Sequence, residues 1–237
     1  MNILAIDTAT TALGLCLASD SGIRPSGEAS HWPKTAALTL ILQVGLKHSE
    51  KLMPAVSALL QEAAVSPQDL DLIICSTGPG SFTGIRIGLA TAKGLADGAH
   101  CRLIGLSTLD GLAYRYRRFP GLVAAVNPSL RKKYYTAVYR AGILEGDYLE
   151  TTLPDLCSAL EARRPILITG AAAVELYELM LREGASAGPE LVVDASGQST
   201  DPAGLLARGT AKIGEPESDP LPLYLRKSEA EITFFGE

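Results

Sequence analysis

Histidine is scarce in this chain, and the scarcity excludes a whole class of chemistry. Only His31, His48 and His100 occur among 237 residues, none three or four positions from another, so a helical pair of the HExxH or HxxxH kind cannot form. Cysteine offers no substitute: Cys16, Cys75, Cys101 and Cys157 lie far apart with no CxxC spacing. Cys16 and Cys75 fall inside apolar runs, where cysteine acts as a small hydrophobe, and a reduced, cytoplasmic chain is expected. No apolar run approaches the ~18 residues of a membrane span. Met1-Asn-Ile-Leu-Ala-Ile-Asp7 has no basic stretch before its apolar residues, so a signal peptide is not expected either. A phosphate-gripping Gly-Lys-Ser/Thr is missing, and the glycine block around Ser81 does not have the GxSxG spacing of a nucleophile elbow.

Acidic residues are missing from one long stretch. The chain carries a net charge of −5, against a dedicated nucleic-acid binder. Yet between Asp110 and Glu145 there is no acid, while Arg115, Arg117, Arg118, Arg131, Lys132, Lys133 and Arg140 all lie there, interleaved with Tyr114, Tyr116, Tyr134, Tyr135 and Tyr139. Two readings stand: a solvated helix end with a lysine-edged hairpin, or contact with an acidic partner or RNA.

What the chain does have is the block GPGSFTGIRIG, Gly78 to Gly88. It follows the apolar run from Asp71 to Thr77, which reads as a buried strand. It opens a segment from Thr83 to Ala96 with the length and composition of a helix. A strand, a Gly/Pro turn and a helix N-terminus make a natural anion site, because free N–H groups and the helix dipole point outward together. The block is not GxGxxG, since Gly78, Gly80 and Gly84 leave one residue too many. Ser81 reads as a helix cap rather than a nucleophile. Asp7, ending the first strand, has two readings: orienting magnesium or water in an ATPase, or bonding its own backbone in an Asp7-Thr8-Ala9 turn, which is preferred without the rest of a phosphate site. Within the helix, Gly84, Gly88, Ala92 and Ala96 fall four apart and strip one face of side chains. Each helical glycine costs ~1 kcal/mol relative to alanine, so close backbone approach is expected there, against either the chain's own sheet or another subunit.

The rest reads as two α/β units, each with antiparallel strands leading into helices. Asn2–Asp7, Leu13–Ser19 and Thr35–Val44 are predicted strands, with a turn at Asp20–Gly22. Ser49 is expected to cap a helix to about Ala64, interrupted early by Pro54. Leu103–Gly105 is a short strand and Ser107 opens a helix. From Gly121 the pattern restarts with strands at Leu122–Val126, Lys133–Arg140 and Ile166–Thr169. Helices are expected at Leu156–Ala162 and Ala171–Glu183, a final one begins at Pro202, and the proline-rich tail is extended.

These features together resemble the TsaB family, the small non-catalytic partner of TsaD in bacterial synthesis of threonylcarbamoyladenosine on tRNA. The carriers are ILAIDTAT at Ile3–Thr10, HSEKLMP at His48–Pro54 and DLDLIICSTGPGSFTGIRIGLATAKGLA at Asp69–Ala96, then LIGLSTLDGLA at Leu103–Ala113 and PLYLRKSEA at Pro222–Ala230. The resemblance spans the chain and is dense to about residue 113. It implies a two-domain α/β fold of the ASKHA type (actin/hexokinase-like, ribonuclease H-like) with mixed sheets. Residues 1–105 would form the first domain and carry the partner-binding helices. Residues 106–237 would form a second, smaller α/β domain whose C-terminal segment is a candidate to pack back on the first.

The resemblance further implies that TsaD holds the metal and transfers the threonylcarbamoyl group to adenosine beside the anticodon, joined by the ATPase TsaE. This chain would then carry no catalytic residue, cofactor or metal, and the complex would use ATP and a metal held by its partners. A helical-bundle contact with TsaD is expected from Leu52, Val56, Leu59, Gly84, Ile85, Gly88 and Ala92, with Gly78, Gly80, Ser81 and Thr83 as a structural loop. Arg131, Lys132 and Lys133 are the candidate tRNA contacts, and a homodimer is the alternative when TsaD is absent. Family members usually carry Asp-Ala-Arg where this chain has Asn127-Pro128-Ser129. The competing functions are an ATP-binding phosphotransferase of the actin/hexokinase type and, behind it, a protease.

Overall fold

The computed structural model describes residues 1–19, 36–160, 165–184, 189–215 and 219–226. The turn expected at Asp20–Gly22, His31, the helix end expected at Ala162 and the tail motif beyond Arg226 lie outside the described residues. The chain divides into two units. The first runs to Gly111 and takes back Thr200–Pro222; the second holds residues 112–199 and the described tail from Leu223.

The first unit is built on a five-stranded mixed sheet. Strand β1 (Asn2–Asp7) pairs antiparallel with β2 (Ala12–Ser19), which pairs antiparallel with β3 (Ala36–Gln43) at the edge. On the other side of β1 run β4 (Leu72–Ser76) and then β5 (Arg102–Leu106), both parallel. Burial on both faces explains the near-continuous apolar sequences of β1, β2 and β4. Leu4, Ile6, Leu13, Leu15 and Leu17 face helices α1 (His48–Glu62) and α2 (Phe82–Ala99). Ile3, Ala5, Cys16, Leu72 and Ile74 face the opposite way, onto Leu205. Leu205 belongs to a helix that arrives about a hundred residues later and closes the sheet's second face.

Helix α1 starts at His48, one residue before Ser49, after Lys47 with no side-chain cap. It continues through Pro54, which is exposed, so the carbonyl that loses its N–H partner can be solvated. Helix α2 begins after Ser81, whose Oγ accepts the Gly84 N–H at 3.1 Å, and ends at His100 in the left-handed conformation. Helix α3 (Thr108–Tyr114) opens on reciprocal caps: Ser107 Oγ accepts from Leu109 N, and Asp110 Oδ2 accepts from Ser107 N.

The second unit repeats the mixed-sheet plan. Strand β6 (Leu122–Pro128) pairs antiparallel with β7 (Tyr134–Arg140). The short β8 (Ile143–Leu144) and β9 (Leu149–Thr151) both pair with β7. Helix α4 (Leu153–Leu160) leads to β10 (Ile166–Thr169), parallel to β6. Helix α5 (Ala173–Arg182) leads to β11 (Leu191–Val193), parallel to β10. Strands β9 and β11 have three residues each, too few for a period-2 pattern to register. Helix α4 begins earlier than Leu156 because Thr152 accepts the Asp155 N–H and Pro154 suits a first turn. Helix α6 (Pro202–Thr210) starts at the proline and is capped by Asp201 on Gly204 N, at 2.9 Å. Among the described residues no helix is long and apolar enough to cross a membrane. All four cysteines are free, and burial pushes the Cys16 and Cys75 thiols up.

Candidate functional site

The glycine loop closes on the chain's own β1–β2 turn. Ser81 N–H donates to Ala9 O at 2.7 Å, and Thr8 Oγ1 donates to Gly84 O at 2.8 Å. A Cβ on Gly80 would lie 1.9 Å from Ala9 O, and one on Gly84 2.1 Å from Thr8 O. A Cβ on Gly88 would lie 2.1 Å from Thr8 Oγ1. Gly80 and Gly84 are therefore required by the backbone of this turn, and Gly88 by the Thr8 side chain. Gly78 is tied to a different segment, its carbonyl accepting the N–H of Thr108 at the start of α3 at 2.9 Å. Thr83 stands exposed in the first turn of α2.

This arrangement does not fit a phosphate or its magnesium. In the anion site expected from strand, turn and helix, the Thr8–Ala9 backbone fills the place open to an anion, and the Ser81 and Gly84 N–H groups already have acceptors. Asp7 is 1% exposed. Its Oδ1 accepts from Ala9 N–H at 3.0 Å and from Thr108 Oγ1 at 3.2 Å, and its Oδ2 from Thr200 Oγ1 at 2.6 Å. The bond to Ala9 is the turn expected of Asp7-Thr8-Ala9. The two threonines hold a buried carboxylate in place with neutral donors and leave it no open side for a cation. Among the described residues no group of three or more His, Cys, Asp or Glu could hold a metal ion.

The residues expected to meet a partner are turned inward. Leu52, Val56 and Leu59 of α1, with Ile85 and Ala92 of α2, belong to the first unit's core. Gly84 and Gly88 are buried beside Thr8. The bare face of α2 thus lies on its own sheet, because the β1–β2 turn approaches closer than any side chain would permit. The exposed faces are different ones. Met53, Ser57 and Ala58 stand out from α1; Ala90, Gly94 and Gly98 stand out from α2, again four apart. Around Gly94 and Gly98 an added Cβ would meet nothing within 4 Å. Leu46, in the turn before α1, is 95% exposed.

In the second unit Asn127 replaces the expected aspartate for a reason visible in its partners. Its Oδ1 accepts the Ala171 N–H at 3.0 Å and its Nδ2 donates to Ser199 O at 2.7 Å. One amide therefore satisfies a donor and an acceptor, which a carboxylate cannot do. Asn127→Asp is expected to set a carboxylate oxygen against the Ser199 carbonyl and destabilise the subunit by about 1–3 kcal/mol. Thermal melting checks this; a variant as stable as the parent would refute the pairing. Nearby, burial pushes the Asp194 carboxyl up, but hydrogen bonds from Ser196, Tyr116 and Thr169 outweigh it and hold it below its ordinary value.

The acid-free stretch is split between the two ends of β7. Arg117 lies beside Gly142 after β7 and stacks on Tyr114; Arg115 stacks on Tyr116, and Arg140 pairs with Glu145. Arg131, Lys132 and Lys133 form the turn before β7, with Lys133 3.9 Å from Glu150. Sequence reading missed Thr8, Thr108 and Thr200, whose roles depend on contacts across 76, 101 and 193 residues. It also passed over Ala90, Gly94 and Gly98, although their spacing was as visible as that of the inward row.

The family model of TsaD, tRNA N6-adenosine threonylcarbamoyltransferase, matches residues 43–142. The tRNA threonylcarbamoyladenosine biosynthesis protein TsaB of Bacillus subtilis is 31% identical, covering 98% of this chain and 96% of that protein. A solved Pseudomonas aeruginosa protein, described as similar to peptidase YeaZ, has a TM-score of 0.71 and 26% identity, covering 95% of this chain and 99% of its own. The ROK hexokinase of Thermus thermophilus has a TM-score of 0.52 at 12% identity, covering 91% of this chain and 100% of its own, and shows the actin/hexokinase-like fold alone.

Proposed function

The chain belongs to the TsaB family of tRNA threonylcarbamoyladenosine biosynthesis proteins, and from that premise we propose that it is a non-catalytic subunit acting through assembly with TsaD. The observation that carries the non-catalytic reading is the glycine loop. Its Ser81 N–H is taken by Ala9 O and its Gly84 N–H by Ser81 Oγ, its space is filled by the Thr8–Ala9 backbone, and Asp7 is enclosed by Thr108 and Thr200. On this reading the metal belongs to TsaD, ATP turnover to TsaE, and the working compartment is the cytoplasm.

The partner surface is the exposed side of α1 and α2. Met53, Ser57 and Ala58 lie on one helix and Ala90, Gly94 and Gly98 on the other. Small residues let a second pair of helices approach at backbone distance, and Met53 supplies an adaptable apolar contact. The phosphotransferase alternative draws only on shared fold, which does not carry function. A protease would need a nucleophile, and Ser81 Oγ is engaged as a helix cap.

Reconstitution tests the reading. TsaD, TsaE, ATP, the threonylcarbamoyl precursors and unmodified tRNA should give modified tRNA with this chain and little without it. The chain alone should not hydrolyse ATP. Full modification in its absence, or steady ATP turnover by the isolated chain lost on Asp7→Asn, would overturn it.

A further inference from the structure

The edges of the two sheets differ in how they are guarded. The first unit's sheet ends on β5 at one side and β3 at the other. Strand β5 carries Arg102, whose guanidinium donates to Ile213 O at 2.6 Å and Glu215 O at 3.2 Å, and Pro220 lies against Gly105. In the second unit β8, β9 and β11 have only two or three residues each. Charge, covering chain and short outer strands are the usual means by which sheets avoid pairing edge to edge. Strand β3 has none of them. It runs for eight residues, Ala36–Gln43, without a charge or a proline, and pairs with β2 without a bulge. The sequence stays uncharged through Leu46. Among the described residues nothing pairs with its outer side.

The two faces of β3 are unlike. Leu38, Leu40 and Leu42 lean half-buried on the core beneath α1 and α2. Ala37, Thr39, Ile41 and Gln43 are exposed on the other face. A strand added at this edge must keep apolar residues on the core face, which fixes the parity of its register. The strand itself meets that condition. Paired antiparallel with a second β3 about Leu40, it sets Leu38 opposite Leu42 and Leu40 opposite Leu40 on the core face. On the other face Thr39 meets Ile41 and Ala37 meets Gln43. No charge opposes a charge in this register, and the apolar face of one copy runs on into the next. A charged segment would find no counter-charge along β3.

We propose that β3 is a self-association edge, at which two copies of this chain pair β3 to β3 about a two-fold axis at Leu40. The two five-stranded sheets then become one continuous sheet. Main-chain hydrogen bonds supply the attraction, and the opposed side chains set the register. The contact is isologous, the same patch on both copies, so it uses up both edges and closes at a dimer. The half-buried leucines gain the cover that the single chain does not give them. This edge is a different surface from the exposed residues of α1 and α2 assigned to TsaD.

Sedimentation equilibrium of the full chain without TsaD tests this. The parent should sediment as a dimer, at twice the 24.9 kDa of one chain. Thr39→Lys with Ile41→Lys places like charges opposite each other on both sides of the axis, which is destabilising across a strand pair, and should leave monomer. Thr39→Glu with Ile41→Glu should do the same. An equal mixture of the two double variants should recover dimer, because each lysine then faces a glutamate. Melting of each variant shows that it folds; should a double variant not fold, Ile41→Lys alone, on the exposed face, is read in its place and should also shift the chain toward monomer. A parent that stays monomeric at every concentration overturns the inference, whether residues 20–35 or another protein covers the edge. So does a dimer that survives the lysine pair, or one that Gly94→Leu dissociates instead, which would put the contact on α2. Folded double variants that stay monomeric when mixed overturn the pairing about Leu40. None of these results bears on the pairing with TsaD, which is measured separately.

Discussion

Gly84→Ala is expected to destabilise the isolated subunit, although alanine is the better helix former. In an open helix the exchange would stabilise by ~1 kcal/mol. Here the new Cβ would lie 2.1 Å from Thr8 O, a backbone atom tied into the β1–β2 turn, and cannot be accommodated by rotating a side chain. Overpacking of this kind typically costs ~1–3 kcal/mol and occasionally more. With Thr8 also losing its bond to Gly84 O, a net loss of about 2 kcal/mol or more is expected. For a chain of this size that lowers the melting temperature by roughly 4–8 °C. Gly88→Leu should be more severe, since it drives a whole side chain toward Thr8 Oγ1 and Cys75 Sγ. Gly94→Ala, in open space, should raise stability by up to ~1 kcal/mol. Melts of the three variants give the comparison; a Gly84→Ala protein that melts at or above the parent would show that the turn is not packed as described.

Gly94→Leu is expected to do the reverse: leave the subunit as stable as before and impair its pairing with TsaD. An added Cβ meets nothing within 4 Å on the isolated chain, and leucine is a good helix former. In a contact where two helix backbones approach across Ala90, Gly94 and Gly98, the same side chain must be overpacked. A cost of ~1–3 kcal/mol corresponds to a loss of association of roughly ten- to a hundred-fold. On the proposed reading, Gly88 and Gly94 are expected to separate folding from assembly on a single helix. Pairing that survives Gly94→Leu at parental strength would move the partner surface off α2.

Much of the local structure was legible because it depends on near neighbours. The apolar runs of β1, β2 and β4, the Ser81 and Ser107 caps and the start of α6 at Pro202 all follow from residues within a few positions. So does the Asp7 turn onto Ala9. The inventory that excludes an HExxH or HxxxH pair was likewise a matter of counting. The sequence alone therefore determined the mixed α/β class and the family.

The rest was decided by tertiary structure. Helix α2 carries two rows of small residues four apart, Gly84-Gly88-Ala92-Ala96 and Ala90-Gly94-Gly98. Periodicity cannot say which faces inward, since small residues serve close packing on either side. The turn at Thr8 decides it by pressing its carbonyl and hydroxyl oxygens against Gly84 and Gly88. Leu52, Val56 and Leu59 went the same way, because a sheet needs an apolar cover before a partner can have one. The partners of Asp7 and the return of α6 to the sheet's second face come from far along the chain. So does the pairing that makes asparagine the fitting residue at position 127. Local propensity carries no trace of such contacts, because their energy exists only once the distant segments have met.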